Sequence, residues 1–138
     1  TALGVKVANP DKVVISITGD GGFQFAIQEL ATAKQFNINL ITIVFNNSAY
    51  GNVRRDQETR FGGRVIGADL VNPDFLALAR AYGVQGYQTQ DADGLREVLR
   101  VAVVKDEPAV IEVILETGCE GSPWPFILRD AFTGNTIV

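Results

Sequence analysis

Two apolar runs, each closed by a polar loop, constrain this chain more than anything else in it. Val13-Val14-Ile15-Ser16-Ile17-Thr18 leads into Gly19-Asp20-Gly21-Gly22, and Leu40-Ile41-Thr42-Ile43-Val44-Phe45 leads into Asn46-Asn47-Ser48-Ala49-Tyr50-Gly51. The first run is nearly all β-branched and lacks strict alternation, the pattern of a strand buried on both faces. Between the runs Ala26, Ile27, Leu30, Ala31 and Lys34 recur at helical spacing, so Phe23 to Gln35 reads as a crossover helix. Strand, crossover helix and strand make a parallel pair, which brings both polar loops to one edge of the sheet. There Asp20 and Asn47 can point at one spot, beside the unpaired amides of the helix N-terminus.

The rest of the chain extends this unit. Residues 1 to 12 are small and mixed, with Asn9-Pro10-Asp11 as the turn into the first strand. Val53 to Arg60 is charged and reads as a short exposed helix, and Phe61 to Ala68, with three glycines, reads as a mobile loop. Asn72-Pro73-Asp74 predicts a helix start with Asn72 as N-cap and Pro73 at the first helical position. Phe75, Leu78, Ala79 and Tyr82 form its apolar face and Gly83 its C-terminal cap. Val84 to Gln90 is a strand, Asp91 to Lys105 a helix stopped by Pro108, and Ala109 to Leu115 another buried strand. Glu116 to Val138 is loop-like. The expected fold is a three-layer α/β/α sandwich with a mainly parallel sheet, covering residues 1–138 as a single domain.

Composition narrows the chemistry. At 138 residues the chain can bury a single core. No apolar run approaches the roughly 18 residues of a membrane span, and no basic-then-apolar leader is present, so a cytoplasmic protein without membrane contact is expected. A formal charge of −4 gives no reason to expect nucleic acid. One cysteine, Cys119, allows no internal disulfide and reads as a loop thiol. Histidine is absent, which excludes a His-ligated metal or a Ser-His-Asp triad built from this chain alone. The chain opens on Thr1 rather than Met and runs almost directly into a strand, so it is expected to be part of a longer multidomain protein.

An aspartate between glycines at a strand end can bring a carboxylate and backbone amides together, a setting for a phosphate with a hard cation. Magnesium takes oxygen ligands and shares its shell between one or two protein groups and phosphate oxygens. Asp20 offers charge, the Asn47 side chain a neutral oxygen, and Ala49 a backbone carbonyl. Gly19-Asp20-Gly21 alone is common in strand-to-helix turns, and Asn46-Asn47 alone is commoner still. Their conjunction on successive parallel strands, with 24 residues between them, is much more specific. It is no dinucleotide fingerprint, since Gln24 stands where that pattern needs a third Gly or Ala.

The sequence Gly19-Asp20-Gly21, 24 residues, Asn46-Asn47 resembles the thiamine diphosphate-binding motif of thiamine-dependent enzymes. The flanking Gly21-Gly22-Phe23-Gln24-Phe25, Ile27 to Ala33 and Asn46 to Gly51 are similar to the acetolactate synthase branch, as is the opening Leu3 to Asp11. The resemblance spans essentially the whole chain, as the C-terminal diphosphate-binding domain. It implies Asp20 and Asn47 as magnesium ligands through their side chains and Ala49 through its carbonyl. It places Gly19, Gly21, Gly22, Phe23, Tyr50 and Gly51 around thiamine diphosphate. It further implies a 2-oxo acid substrate whose carbon–carbon bond next to the carbonyl is cleaved or remade, the cofactor carrying that chemistry. The activating glutamate belongs to an N-terminal pyrimidine-binding domain presented by a partner subunit, which implies a homo-oligomer, dimer or tetramer. No catalytic residue is therefore expected in this chain, and the chain alone is expected to be inactive and to bind cofactor weakly.

Other readings stay open at this stage: a simple 2-oxo acid decarboxylase of the same family, a non-catalytic nucleotide- or phosphate-binding α/β module, or a relic kept as an assembly surface. Arg54 and Arg55 could reach a substrate carboxylate, although an exposed charged helix is the commoner explanation. Glu29 is expected to cap or to be buried. Tyr82 and Tyr87 are expected at the core or its margin, and Trp124 and Phe126 in a C-terminal lid or a packing contact.

Overall fold

A computed structural model of the chain describes residues 1–119 and 121. In chain order the elements are α1 (Ala2–Ala8), β1 (Val14–Gly19), α2 (Asp20–Gln24), α3 (Glu29–Gln35), β2 (Leu40–Asn46), α4 (Gly51–Arg60), α5 (Phe75–Ala81), β3 (Gln85–Thr89), α6 (Ala92–Lys105) and β4 (Ala109–Ile114). The four strands form one sheet in the order β1-β2-β4-β3, every neighbour parallel. On one face Phe23, Leu30, Phe75 and Ala79 pack against Val44 and Val110. On the other, Leu95, Val98, Leu99 and Ala102 of α6 pack against Ile41, Ile43, Ile111 and Val113. The expected α/β/α layering with a parallel sheet is what the chain adopts.

Several local expectations need correction. The N-terminal segment, read only as small and mixed, holds a helix over Ala2–Ala8, held down by Lys6. The Lys6 side chain is buried and donates from Nζ to the carbonyls of Pro10 (2.9 Å) and Lys12 (2.7 Å), closing the expected Asn9-Pro10-Asp11 turn. The crossover is not one helix. Phe25 N bonds Gly22 O and Ala26 N bonds Phe23 O, a tightened turn that leaves Phe25 exposed and separates α2 from α3. β1 is not buried on both faces either. Among the described residues it is an edge strand with alternating exposure, Ile15 at 39% and Ile17 at 69%, because α6 packs over β4 and β3 and not over that flank. Glu29, the first residue of α3, is exposed rather than buried and makes no side-chain cap.

The remaining elements lie close to their predicted bounds. Tyr82 and Tyr87 are half-buried at the margins of the two apolar clusters, as expected. Gly83 has φ +69, and its amide bonds Arg80 O just beyond α5. Asp91 caps α6 by accepting from Gly94 N at 2.7 Å. The stretch read as a mobile loop carries left-handed Gly62, Gly63 and Gly67, and ends at Ala68, which is fully buried. Cys119 is exposed, as a loop thiol should be. Trp124 and Phe126 lie outside the described residues.

Candidate cofactor site

The register decides which side chains meet. Gly19 lies opposite Phe45 in the β1–β2 pairing, so the next residues on each strand, Asp20 and Asn46, leave the sheet side by side. β4 continues the same edge: Phe45 pairs with Val113 and Asn46 with Ile114. Leu115 N then bonds Asn46 O (2.8 Å), and Thr117 Oγ1 donates to Asn47 O (2.7 Å), so the end of β4 is tied to the second loop.

Asp20 is the first residue of α2 and only 2% exposed. Its Oδ1 accepts from Gly21 N (2.9 Å) and its Oδ2 from Asn72 Nδ2 (2.6 Å). Among the described residues no cationic side chain pairs with this carboxylate. A buried carboxylate met only by neutral donors is costly to keep unless a cation joins it.

The second loop is built from two successive Asx turns. Ser48 N donates to Asn46 Oδ1 (3.1 Å) and Ala49 N to Asn47 Oδ1 (3.2 Å), which carries Ser48 into the left-handed region at φ +56. Asn47 and Ala49 are both buried. Ala49 also faces Asp69 in an antiparallel bridge, whose two bonds are Tyr50 N to Ala68 O and Leu70 N to Ser48 O. Both bonds belong to neighbours of Ala49, so its own carbonyl takes no part in the bridge.

Tyr50 lies against the first loop. A Cβ at Gly21 would come within 2.8 Å of Tyr50 Cδ1 and 3.1 Å of Leu70 Cδ1, so only glycine allows the two loops to close on each other here. Gly22 is exposed, with room for a Cβ limited by Thr18 Oγ1 at 3.0 Å. Gly19 is exposed as the N-cap of α2, and Gly51 opens α4. Phe23 turns its ring the other way, into the core, edge-on to Phe75 with centroids 5.5 Å apart. Its backbone, not its side chain, belongs to the loop. Arg54 is engaged by Glu58 and Asp69, and Arg55 donates to Gly121 O at 3.4 Å.

Sequence reasoning missed two residues of this site. Asn72 is no N-cap: the cap of α5 is Asp74, whose Oδ1 accepts from Ala77 N at 2.8 Å. Asn72 instead donates to Asp20 Oδ2 and to Asn46 Oδ1 (2.8 Å), and accepts from Gln24 Nε2 (2.8 Å). Glu112, 4% exposed in the middle of β4, accepts from Asn46 Nδ2 (2.6 Å) and Gln88 Nε2 (2.7 Å). The signal for Glu112 was present as the lone carboxylate in an otherwise apolar strand.

This geometry sits in a chain that belongs to the thiamine pyrophosphate enzyme family, as its C-terminal thiamine pyrophosphate-binding domain, the family model matching residues 1–113. Among its relatives, the mitochondrial acetolactate synthase catalytic subunit of Aspergillus candidus is 40% identical over 115 residues, covering 83% of this chain and 17% of that protein. The probable acetolactate synthase large subunit of Methanocaldococcus jannaschii is 38% identical over 116 residues, covering 83% of this chain and 20% of its own length. The solved structure of a thiamine diphosphate-dependent 4-hydroxybenzoylformate decarboxylase from Rhodococcus jostii RHA1 matches with a TM-score of 0.77 and 34% identity, over 83% of this chain and 22% of that one. The chain thus spans about a fifth of the length of the curated relatives it matches. Among the described residues no helix is long and apolar enough to cross a membrane.

Proposed function

We propose that this chain anchors the diphosphate of thiamine diphosphate through Mg2+, as one domain of an acetolactate synthase-like enzyme acting on 2-oxo acids. The observation that carries the reading is Asp20: a buried carboxylate at the end of a parallel strand, met among the described residues only by neutral donors, beside a loop of turned-in oxygens. The donor set fits. One carboxylate from Asp20, the amide oxygen of Asn47 and the carbonyl of Ala49 are the hard oxygens that Mg2+ takes, with room left for phosphate. Gly21 and Gly22 bring backbone to the diphosphate without a side chain between, and Tyr50 and Gly51 border it. When bound, the cofactor supplies the carbon nucleophile for breaking or making the bond next to a keto group.

Within this chain the work is binding and orientation. Asp20 and Asn47 hold the metal, and the glycines set the approach. The group that activates the cofactor is brought by an N-terminal pyrimidine-binding domain of a partner subunit, so the whole enzyme is a homo-oligomer in the cytoplasm and the chain alone turns nothing over. The likeness to a decarboxylase at 34% identity favours a second reading, simple 2-oxo acid decarboxylation without joining to an acceptor.

Calorimetric titration of thiamine diphosphate with and without Mg2+ tests the anchor. Metal-dependent binding abolished by Asp20→Ala and by Asn47→Ala is expected. Binding indifferent to Mg2+ and to both substitutions, or a preference for a dinucleotide, would overturn it. In the whole enzyme the product separates the two chemistries: a joined hydroxy-keto acid for the first, a free aldehyde for the second.

A further inference from the structure

The two carboxylates buried at this sheet edge are joined by a directed chain of amides. Glu112 and Asp20 offer only acceptors, so each turns the –NH2 of its neighbouring amide toward itself. Asn46 gives its Nδ2 to Glu112, which leaves Asn46 Oδ1 facing the other way, toward Asn72 and Ser48 N. Asn72 then gives both hydrogens of its amide, one to Asn46 Oδ1 and one to Asp20 Oδ2. The remaining ends are closed by Gln24 on Asn72 Oδ1 and Gln88 on Glu112 Oε2. If Asn46 turned over, its –NH2 would meet the –NH2 of Asn72, and Asp20 would lose its second donor.

Resting on the metal-anchoring reading of Asp20, we infer that Glu112 and Asn72 are positioning residues for the metal site, Glu112 setting the direction of the amide chain through which Asn72 orients the Asp20 carboxylate. Neither residue need touch the ion. Asn72 holds Oδ2 while Gly21 N holds Oδ1, so the carboxylate is oriented before a cation arrives. Outer partners of this kind tune metal affinity because a ligand already in place loses less freedom on binding. The direction of the chain, rather than the volume of its members, does this. Glu112 lies between an internal amide and the exposed Gln88, so a glutamine at 112 can keep its oxygen on Asn46 while Gln88 turns over to accept. A leucine at 112 fills similar space but takes the acceptor from Asn46 Nδ2, so that only Ser48 N and Asn72 still hold the direction of that amide.

The test is the apparent Mg2+ dissociation constant, titrated with thiamine diphosphate in excess, beside the metal-free melting midpoint of each variant. Asn72→Ala and Glu112→Leu should weaken Mg2+ by at least about tenfold, and Glu112→Gln by no more than about threefold, on the scale of outer-partner substitutions. Glu112→Leu leaves the buried Asn46 –NH2 without its acceptor, so its midpoint should fall somewhat, while Asn72→Ala, at a half-buried position, should lose affinity well beyond any fall in its midpoint. Wild-type Mg2+ affinity in Asn72→Ala and Glu112→Leu would overturn the inference. So would a Glu112→Gln protein as weak as Glu112→Leu, or affinity losses that merely track the midpoints. Should Glu112→Leu fail to fold, Asn72→Ala and Glu112→Gln decide, because Asn72 is only half-buried and glutamine keeps the shape of the side chain. Wild-type protein that does not respond to Mg2+, or Asp20→Ala that binds it as well as wild type, would instead sink the anchoring reading and take this inference with it.

Discussion

The body of the sheet and its C-terminal rim obey different rules, although the same strands build both. In the body, Val44, Val110, Ile111 and Phe75 are at most 1% exposed and touch other apolar groups, so what matters is size and shape. At the rim, Asp20, Asn46, Asn72 and Glu112 are bound donor to acceptor, and what matters is which end of each amide faces which neighbour. One strand can carry both kinds of position a residue apart. In β4, Ile111 has no polar partner to find, while Glu112 next to it has two. A change in the body should therefore lower stability and leave ligand preference alone, and a change at the rim should do the reverse.

The sharpest way to break this contrast is a pair of substitutions. Asp20→Ala should remove Mg2+-dependent thiamine diphosphate binding while costing little in chemical denaturation, because it deletes a buried carboxylate that, among the described residues, no cationic side chain pairs with. Phe75→Ala should do the opposite, losing about 3–5 kcal/mol of unfolding free energy through the cavity left against Phe23. If Phe75→Ala left denaturation unchanged, or Asp20→Ala collapsed the fold, the division would fail. Gly21→Ala sits on the boundary. Its methyl would press on Tyr50 and Leu70, so a loss of roughly 1–3 kcal/mol together with weaker cofactor binding is expected from overpacking. Smaller effects sharpen the picture. Asp74→Ala should cost about 1 kcal/mol through the lost cap on α5, and leave Mg2+ affinity intact although Asn72 is two residues away. Ile111→Val should cost about 0.5–1.5 kcal/mol by thermal melting and nothing in binding.

The same division explains what the sequence made legible. Elements of the body could be read because apolar periodicity encodes burial, as in α6, where Leu95, Val98, Leu99 and Ala102 fall on one face. The meeting of the Asp20 and Asn47 loops at one sheet edge could be read because strand, crossover and parallel strand end both loops on the same side. Asn72 could not. Asn72-Pro73-Asp74 offers two good caps, and only the extended backbone at Asp74 (φ −67, ψ 101) selects the second and releases the first for the site. The exposure of Ile15 and Ile17 was equally hidden, since a β-branched run is the same in an edge strand as in a central one, and the neighbours decide. The helix at the N-terminus contains a glycine and two valines, poor helix formers, and owes its place to Lys6 reaching carbonyls beyond its own end.

The strand order carries a consequence for folding in time. Asn46 and Glu112 are 66 residues apart in sequence, and β4, the last strand among the described residues, sits between β2 and β3. Neither β2 nor β3 has its inner neighbour until Ala109–Ile114 arrives, and parallel pairings over such separations form slowly because much chain must be ordered before any contact repays it. The loop around Asp20 and Gly21 is local and can take shape early, yet the amide chain that orients it has no anchor before β4 inserts. On the metal-anchoring reading proposed above, Mg2+ affinity should therefore appear late during refolding, together with sheet closure and after the helices, so that an immature chain would not hold an ion in a half-built site.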